Sequence, residues 1–209
     1  ANSLLAINVG VAGTAGNAVF SSSVDATTIT VDGEVAGGSS ADFNGNVVGA
    51  LTVQSGATAG DTATATIAGN VTGAITLDGQ NATDVVTITF DGTTAQTMTG
   101  DLISETTGEG ALVVTNTHAS GLIISGDIGS STGSNKELGS IQIANGSLLT
   151  VVATGAGDGI TTVASGTNGG GIAALAGNAD ATVLGGTLTL KDATGAAGAV
   201  TTGVAQASS

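Results

Sequence analysis

The chain has a single histidine, His118, which is the only side chain that could serve as the base of a Ser-His-Asp triad. Ser120, Ser125 and Asp127 follow it closely in the sequence. Nothing around these residues marks either serine as a nucleophile, and no oxyanion loop can be recognised. We therefore interpret His118 as a turn or surface residue.

Pairs of carboxylates are the other groups that could catalyse a reaction, because glycoside hydrolysis uses two of them and many polysaccharide-cleaving enzymes are β-helices. Such sites commonly bind sugars by aromatic stacking and by contacts from Arg or Lys. The sequence has no Trp, Tyr or Arg. We therefore predict that the protein is not an enzyme, and a carbohydrate-active β-helix protein is the second alternative.

Asp-Gly pairs recur along the chain. An Asp-Gly pair is a turn signal, and its carboxylate is also a hard oxygen ligand of the kind that Ca²⁺ prefers. The sequence contains neither an EF-hand loop nor a strict Gly-Gly-x-Gly-x-Asp repeat. We interpret these aspartates first as turn residues and second as candidate calcium ligands, and we predict no other cofactor. The four residues are Asp32, Asp78, Asp91 and Asp158.

The charge balance limits the partners of the protein. The chain has 16 acidic residues and only Lys136 and Lys191 as basic residues, which gives a formal net charge of −14. Two cations cannot neutralise a row of phosphates, so nucleic acid is excluded, and an anionic membrane surface would repel the chain. No uninterrupted apolar run reaches the roughly 18 residues of a transmembrane helix. The acidity favours solubility, with divalent-cation binding as the alternative.

Short strands are the elements that would position these residues. Alternating apolar runs in residues 65–92 are cut by glycine, as in Val85 to Phe90 followed by Asp91-Gly92. A related unit occurs as Phe43-Asn44-Gly45-Asn46-Val47 and as Ile67-Ala68-Gly69-Asn70-Val71. Turn glycines recur nearly once in every dozen positions, at 33, 45, 56, 69, 79 and 92.

A repeat of this length predicts a solenoid, because one strand-and-turn module cannot bury its own apolar face and must stack on its neighbours. We predict an all-β fold, a parallel β-helix of degenerate repeats, with two or three strands in each coil and coils about 4.8 Å apart. Asn46, Asn70 and Asn81 would form corner or ladder hydrogen bonds between coils. The alternative is a β-sandwich or jelly roll, but such cores usually need large aromatic residues, and aromatics are 1% of this chain.

Thr-x-Thr runs occur at residues 28–30, 64–66, 87–89 and 187–189. Ice-binding solenoids array such pairs on one flat face, which requires near-perfect periodicity. The offsets between the runs in this chain are irregular. We therefore interpret these threonines as ordinary strand residues, a setting that suits β-branched side chains.

Three segments can be distinguished along the chain. Residues 1–26 begin with an uncharged alternating run, typical of a strand that opens the domain or adds to the sheet of a neighbouring subunit. Residues 27–192 form the repetitive β domain, and residues 193–209 form a flexible or contact tail. The predicted assembly residues, which fall on one face of the first strand, are Leu5, Ile7, Val9 and Val11.

The sequence of residues 69–77, Gly-Asn-Val-Thr-Gly-Ala-Ile-Thr-Leu, resembles the Gly/Thr/Asn-rich repeats of bacterial autotransporter passenger domains and of surface-layer-type proteins. Residues 93–100, Thr-Thr-Ala-Gln-Thr-Met-Thr-Gly, show the same resemblance. It covers residues 27–150 and lies in composition and repetition. The resemblance implies an extracellular protein at the surface of a prokaryotic cell.

These observations predict a non-enzymatic structural protein, secreted by a bacterium or archaeon, that assembles with its own copies into a filament or a surface lattice. The predicted contact is strand or edge addition, because the N-terminal strand carries no charge that would block pairing. The alternative is an adhesin, a rigid stalk that binds host or environmental surfaces, including cell-surface glycans, through loops such as residues 130–137.

Overall fold

The structure, a computed structural model, describes residues 3–11, 13–33, 37–81, 83–105, 109–129, 138–144, 147–152 and 187–191. In this part of the chain all regular elements are strands, and there is no helix long and apolar enough to cross a membrane. The strands are β1 (Leu4–Val9), β2 (Asn17–Phe20), β3 (Val24–Asp32), β4 (Ser39–Phe43), β5 (Val47–Gln54), β6 (Thr62–Ile67), β7 (Val71–Thr72), β8 (Ile75–Asp78), β9 (Val85–Phe90), β10 (Gln96–Thr99), β11 (Leu102–Ser104), β12 (Glu109–Val114), β13 (Leu122–Ser125), β14 (Leu138–Ile143), β15 (Leu148–Val152) and β16 (Thr187–Lys191).

The strands form two sheets in which all described strand pairs are parallel. The larger sheet has the order β1-β3-β5-β7-β10-β13-β15-β16, with β8 between β5 and β11, and the smaller has the order β14-β12-β9-β6-β4-β2. The chain alternates between the sheets and makes a β-solenoid of about five turns. The predicted parallel β-helix is confirmed, whereas a sandwich or jelly roll would have antiparallel sheets.

One coil of the solenoid is longer than the predicted strand-and-turn module, and its length varies along the chain. The residue that pairs with Leu4 in the following coil is Ala26. The residue that pairs with Ala111 is Ser140, so the later coil is the longer of the two. In both coils the spacing between paired residues is roughly twice that between the turn glycines. The predicted module is therefore about half of a coil.

A column of glycines, here called the glycine ladder, bends the larger sheet. Gly49, Gly73, Gly100 and Gly126 have φ angles of 127°, 137°, 128° and 152°, which L side chains rarely adopt. A Cβ on Gly73 would lie 2.1 Å from the carbonyl oxygen of Gly49, so only glycine permits this close stacking. The ladder lies between β7 and β8 and between β10 and β11, so it divides the larger sheet into two sides of the solenoid. The smaller sheet forms the third side of each coil.

The core consists of columns of aliphatic side chains that stack from coil to coil. Along β6, Ala63, Ala65 and Ile67 are fully buried, and the threonines between them are partly exposed. Phe43 and Phe90 pair with Ile67 on either side and are also fully buried. Small and aliphatic residues, together with these two phenylalanines, therefore fill this part of the interior.

Polar side chains join the coils at the corner that follows the smaller sheet. The backbone N–H of Asn46 donates to Ser23 Oγ (3.2 Å), and that of Asn70 donates to Asn46 Oδ1 (2.9 Å). In the next coil, the N–H of Thr97 donates to Asn70 Oδ1 (2.9 Å). The predicted corner hydrogen bonds of Asn46 and Asn70 are confirmed, and they satisfy N–H groups that leave the strand ladders.

The predicted segments relate to the fold as follows. β1 and β2 belong to the first coil, and the predicted boundary after residue 26 falls inside β3. The predicted loop at residues 130–137 and the predicted tail at residues 193–209 lie outside the described residues.

Candidate functional site

The N-terminal coil, residues 3–20, leaves apolar side chains open to solvent. Within the described chain β1 pairs with β3 alone and β2 with β4 alone. Leu4 is 57% exposed, Leu5 is 83% exposed and Val19 is 67% exposed. Each of these two strands therefore has an edge of unpaired backbone groups next to exposed apolar side chains.

The four predicted assembly residues do not share one environment. Of the three within β1, only Ile7 and Val9 contact the buried core, and the strongly exposed Leu5 does not belong to it. Val9 is 4% exposed, and Ile7 packs against the buried cluster. Val11 is 53% exposed and lies beyond the strand, because β1 ends at Val9 and Gly10 takes a φ of 82°.

The aromatic part of the core is open at the same end. The rings of Phe20 and Phe43 stack with their centroids 4.9 Å apart and an interplanar angle of 5°. Phe43 is fully buried, whereas Phe20, in the first coil, is only partly buried. The exposed part of Phe20 therefore extends the apolar surface of the N-terminal coil.

Near the C-terminal end of the described solenoid the core residues are buried. Ile143 of β14 and Leu149 and Val151 of β15 are at most 1% exposed, and β15 pairs in turn with β16.

The N-terminal coil is also uncharged. The first acidic or basic residue of the chain is Asp25, although the net charge of the whole chain is −14. Acidic residues begin in the next coil, where Asp42 of β4 pairs with the exposed Val19.

A second distinctive region is the acidic corner, defined here as Asp78, Asp84, Glu105 and Glu109. It lies where the chain passes from the larger to the smaller sheet. Burial raises the pKa of Asp78, a hydrogen bond from Gln80 Nε2 (3.2 Å) opposes this rise, and the charge of Glu105 adds to it. Asp78 is therefore more easily protonated than an exposed aspartate.

Asp84 organises the turns of two successive coils. Its carboxylate accepts hydrogen bonds from Ser55 Oγ (2.7 Å) and from the backbone N–H groups of Gly60 (2.9 Å) and Asn81 (2.9 Å). Burial alone would raise the pKa of Asp84, but these hydrogen bonds together outweigh it and hold the pKa below its ordinary value. Asp84 therefore acts as an ionised structural residue.

Glu109 lies against the preceding coil without a polar partner for one oxygen. Its Oε2 atom is buried and accepts no hydrogen bond within the described chain. The same oxygen would lie 2.7 Å from a Cβ on Gly79, which shows how closely the carboxylate packs there. Burial raises the pKa of Glu109, and the charges of Asp78 and Asp84 raise it further.

The predicted calcium ligands do not form one cluster. Asp32 and Asp78 occupy the same column two coils apart, with Gln54 between them, and Gln54 Nε2 donates to Asp32 Oδ2 (3.2 Å). Asp91 follows the C-terminal end of β9, whereas the acidic corner lies near the N-terminal end of this strand. Asp158 lies outside the described residues. No group of three or more His, Cys, Asp or Glu residues in the described ranges could hold a metal ion. Calcium binding by single aspartates stays a prediction.

His118 lies in a turn that buried amides hold. Its Nδ1 accepts a hydrogen bond from the Ser120 N–H (3.0 Å), and its own N–H donates to Asn116 Oδ1 (2.7 Å). Asn116 is fully buried and donates to Gln96 Oε1 (2.7 Å), and Gln96 donates to the carbonyl oxygen of Ile67 (2.8 Å). The contact from Ser120 comes from its backbone, unlike the hydroxyl-to-imidazole bond of a triad.

Two of the Thr-x-Thr runs lie in register on the smaller sheet. Thr64 pairs with Thr87, and Thr66 pairs with Thr89. The two runs are separated in the sequence by the length of one coil. The sequence alone could not reveal this register, because the number of residues in a coil was unknown. In the next coil the same columns hold apolar residues, so the hydroxyl patch does not continue in that direction.

No family model, no curated protein and no solved structure matches this chain. Function is therefore inferred from the geometry and charge of the described residues. Among these the N-terminal coil combines the greatest apolar exposure with unpaired strand edges.

Proposed function

We propose that this protein is a non-enzymatic, extracellular structural protein of a prokaryotic cell, and that it assembles with its own copies into a filament or a surface lattice. The observation that carries this proposal is the N-terminal coil, with its unpaired strand edges, exposed leucine and valine side chains and lack of charge. Strand edges of this kind add a strand of another chain unless charge, a bulge or a covering element prevents it.

The size of the exposed side chains indicates that such a contact is favourable. Burying a large aliphatic side chain contributes about 1.5–3 kcal/mol, and each net backbone hydrogen bond about 1 kcal/mol. Leu5 and Val19, which are 83% and 67% exposed, would both gain in this way. The loss of translational and rotational freedom offsets part of the gain, so assembly should depend on protein concentration.

The proposal is tested by negative-stain electron microscopy and by size-exclusion chromatography with light scattering, in Ca²⁺ and in EDTA. We expect ordered filaments or lattices in Ca²⁺. Loss of these assemblies in EDTA would assign a bridging role to acidic residues, including the predicted calcium ligands. A monomer in both conditions at all concentrations would contradict the proposal.

A charge placed on the N-terminal coil provides the matched variant. Leu5→Asp should abolish assembly, because Leu5 is 83% exposed and its replacement puts a carboxylate into the contact with little effect on the monomer. Val85→Asp is the control, since Val85 is 51% exposed on the smaller sheet and the change in charge is the same. Equal loss of assembly in both variants would mean that net charge, and not this coil, controls association.

A further inference from the structure

The corner between β4 and β5 contains an asparagine with an unbound side chain. Asn44 is exposed, and its side-chain amide makes no hydrogen bond among the described residues, whereas Asn46 and Asn70 each accept one through Oδ1. The backbone N–H of Asn44 donates to the carbonyl oxygen of Phe20 (2.9 Å). The main chain of Asn44 is therefore held against the first coil, while its side chain is open to water.

The fold requires glycine at the next position. A Cβ on Gly45 would lie 2.3 Å from the backbone nitrogen of Ser23 in the preceding coil, which leaves no space for a side chain. Within the described chain the Gly45 N–H donates no hydrogen bond. In Asp91-Gly92, by contrast, the glycine N–H donates to Gln96 Oε1 (3.0 Å). The Gly45 nitrogen is therefore available to react with the side chain that precedes it.

We propose that Asn44 is a site of spontaneous modification, where this thermolabile residue is converted into aspartate and isoaspartate through a cyclic imide. The Gly45 nitrogen loses its proton to hydroxide and attacks Cγ of Asn44, and the C–N bond of the side-chain amide breaks to release ammonia. Water then opens the ring at either carbonyl carbon. The net reaction consumes one water and releases one ammonia. This inference does not depend on the proposed self-assembly.

Both products change the corner. Each replaces a neutral amide by a carboxylate two residues from Asp42, and isoaspartate also lengthens the main chain by one atom. The stacking leaves little room for this, because a Cβ on Gly69 in the next coil would lie 2.3 Å from the carbonyl oxygen of Gly45. Isoaspartate therefore weakens the contact between the first two coils, where the Asn46 N–H donates to Ser23 Oγ (3.2 Å).

Asn8 provides an internal control. Its side chain is also exposed and makes no hydrogen bond among the described residues, but the next residue is Val9, whose branched side chain hinders ring closure. The folded full chain is incubated at mildly alkaline pH and digested with a protease that cleaves before aspartate, which releases residues 1–24 and 42–60. Aspartate at position 44 creates a new cleavage site and isoaspartate does not, so mass spectrometry distinguishes the products.

We expect Asn44 in the folded protein to be modified at least tenfold faster than Asn8. The same measurement in urea gives the rates in the unfolded chain. If Asn44 reacts faster than Asn8 only in urea, the fold protects Asn44 and the proposal is wrong. Equal rates at the two residues in both conditions would also contradict it.

Asn44→Gln is the matched variant, because it keeps a neutral amide but would have to close a larger ring, which forms far more slowly. After incubation the denaturant midpoint of the parent protein should fall by more than that of Asn44→Gln, since all other asparagines are common to both. Equal falls, with modification of Asn44 shown by mass spectrometry, would mean that isoaspartate does not weaken the contact between the coils.

Discussion

Glu109 is one of three residues of the described chain, with Asp61 and Ser147, that bury a side-chain oxygen without a hydrogen-bond partner. Its Oε2 atom is buried without a hydrogen-bond donor, and Asp78 and Asp84 add negative charge nearby. A buried oxygen without a donor loses the hydrogen bonds that water would supply. The ionised form of Glu109 therefore destabilises the folded state relative to the protonated form.

Glu109→Gln should increase the free energy of unfolding by about 0.5 kcal/mol at neutral pH, the size typical of partly exposed charge interactions. The pKa of Glu109 is raised above 4.5, so the folded protein binds the proton more tightly than the unfolded chain. The advantage of Gln is thus present above the raised pKa and disappears as the pH falls towards 4.5. Thermal unfolding followed from about pH 4 to about pH 8 measures this difference.

Asp25→Asn is the control for this prediction, because it changes the net charge equally at an exposed position of β3. Equal stabilisation by both variants would show that net charge, and not the environment of Glu109, is responsible. A pH-independent difference between Glu109→Gln and the parent protein would contradict the raised pKa.

At the residue scale the sequence indicates turns better than it indicates burial. Asp78 was predicted as a turn residue, and it does end β8 before Gly79. The burial of Glu109 could not be predicted, because its carboxylate packs against Gly79, which is distant in the sequence and belongs to the preceding coil. The proximity of Glu109 and Gly79 could be predicted only if the number of residues in a coil were known.

At the scale of elements, the glycine ladder determines the cross-section of the solenoid. Each of its glycines combines a positive φ with contact to the carbonyl oxygen of the coil before it. Substitution can separate the effect of the backbone angle from the effect of the steric contact, because other glycines in the chain have a positive φ and no atom close to where a Cβ would lie.

Gly100→Ala should lower the free energy of unfolding by about 3 kcal/mol or more, because strain and a steric clash coincide. Gly100 has a φ of 128°, and its Cβ would lie 2.5 Å from the carbonyl oxygen of Gly73. Gly37→Ala is the matched control, since Gly37 has a φ of 118° and nothing within 4 Å of its Cβ. That variant should lose only about 1–2 kcal/mol, the cost of the backbone conformation.

Denaturant unfolding of both variants measures the difference through the midpoint concentration. Similar losses in Gly100→Ala and Gly37→Ala would mean that the stacking of the glycine ladder contributes nothing beyond its backbone angles.

Strands were easier to predict than their partners. The run predicted as a strand at Val85–Phe90 matches β9 residue for residue. Strand pairing could not be predicted, because the length of a coil changes along the chain. The burial of the Gln96 and Asn116 amides, which bond to each other, could not be read from the sequence either.

At the scale of the whole molecule, a net charge of −14 would oppose the proposed assembly, and the apolar N-terminal coil would favour it. The repeat length and the composition together predicted an all-β solenoid, because a short strand-and-turn module must stack on its neighbours and few aromatics argue against a sandwich core. It could not predict that one end is open, because Ile7 and Ile143 have the same side chain in very different surroundings.

Added salt should therefore strengthen assembly. Raising the ionic strength shortens the Debye length from about 30 Å at 0.01 M to about 8 Å at 0.15 M, which screens the repulsion between copies but leaves an uncharged apolar contact intact. Light scattering across a series of NaCl concentrations should show the concentration for half-assembly falling several-fold. A rise in that concentration with salt would indicate that ion pairs hold the copies together.

The parallel stacking of the coils also determines how the molecule responds to a pulling force. The hydrogen bonds between strands run along the solenoid axis, so tension on that axis loads one inter-coil ladder at a time. Each coil adds about 4.8 Å to the folded length, yet the chain of even a short coil can extend to roughly 70 Å once it is released. If the proposed assembly is a filament, axial tension would thus lengthen it by unwinding single coils, and this would absorb mechanical work before the subunits separate.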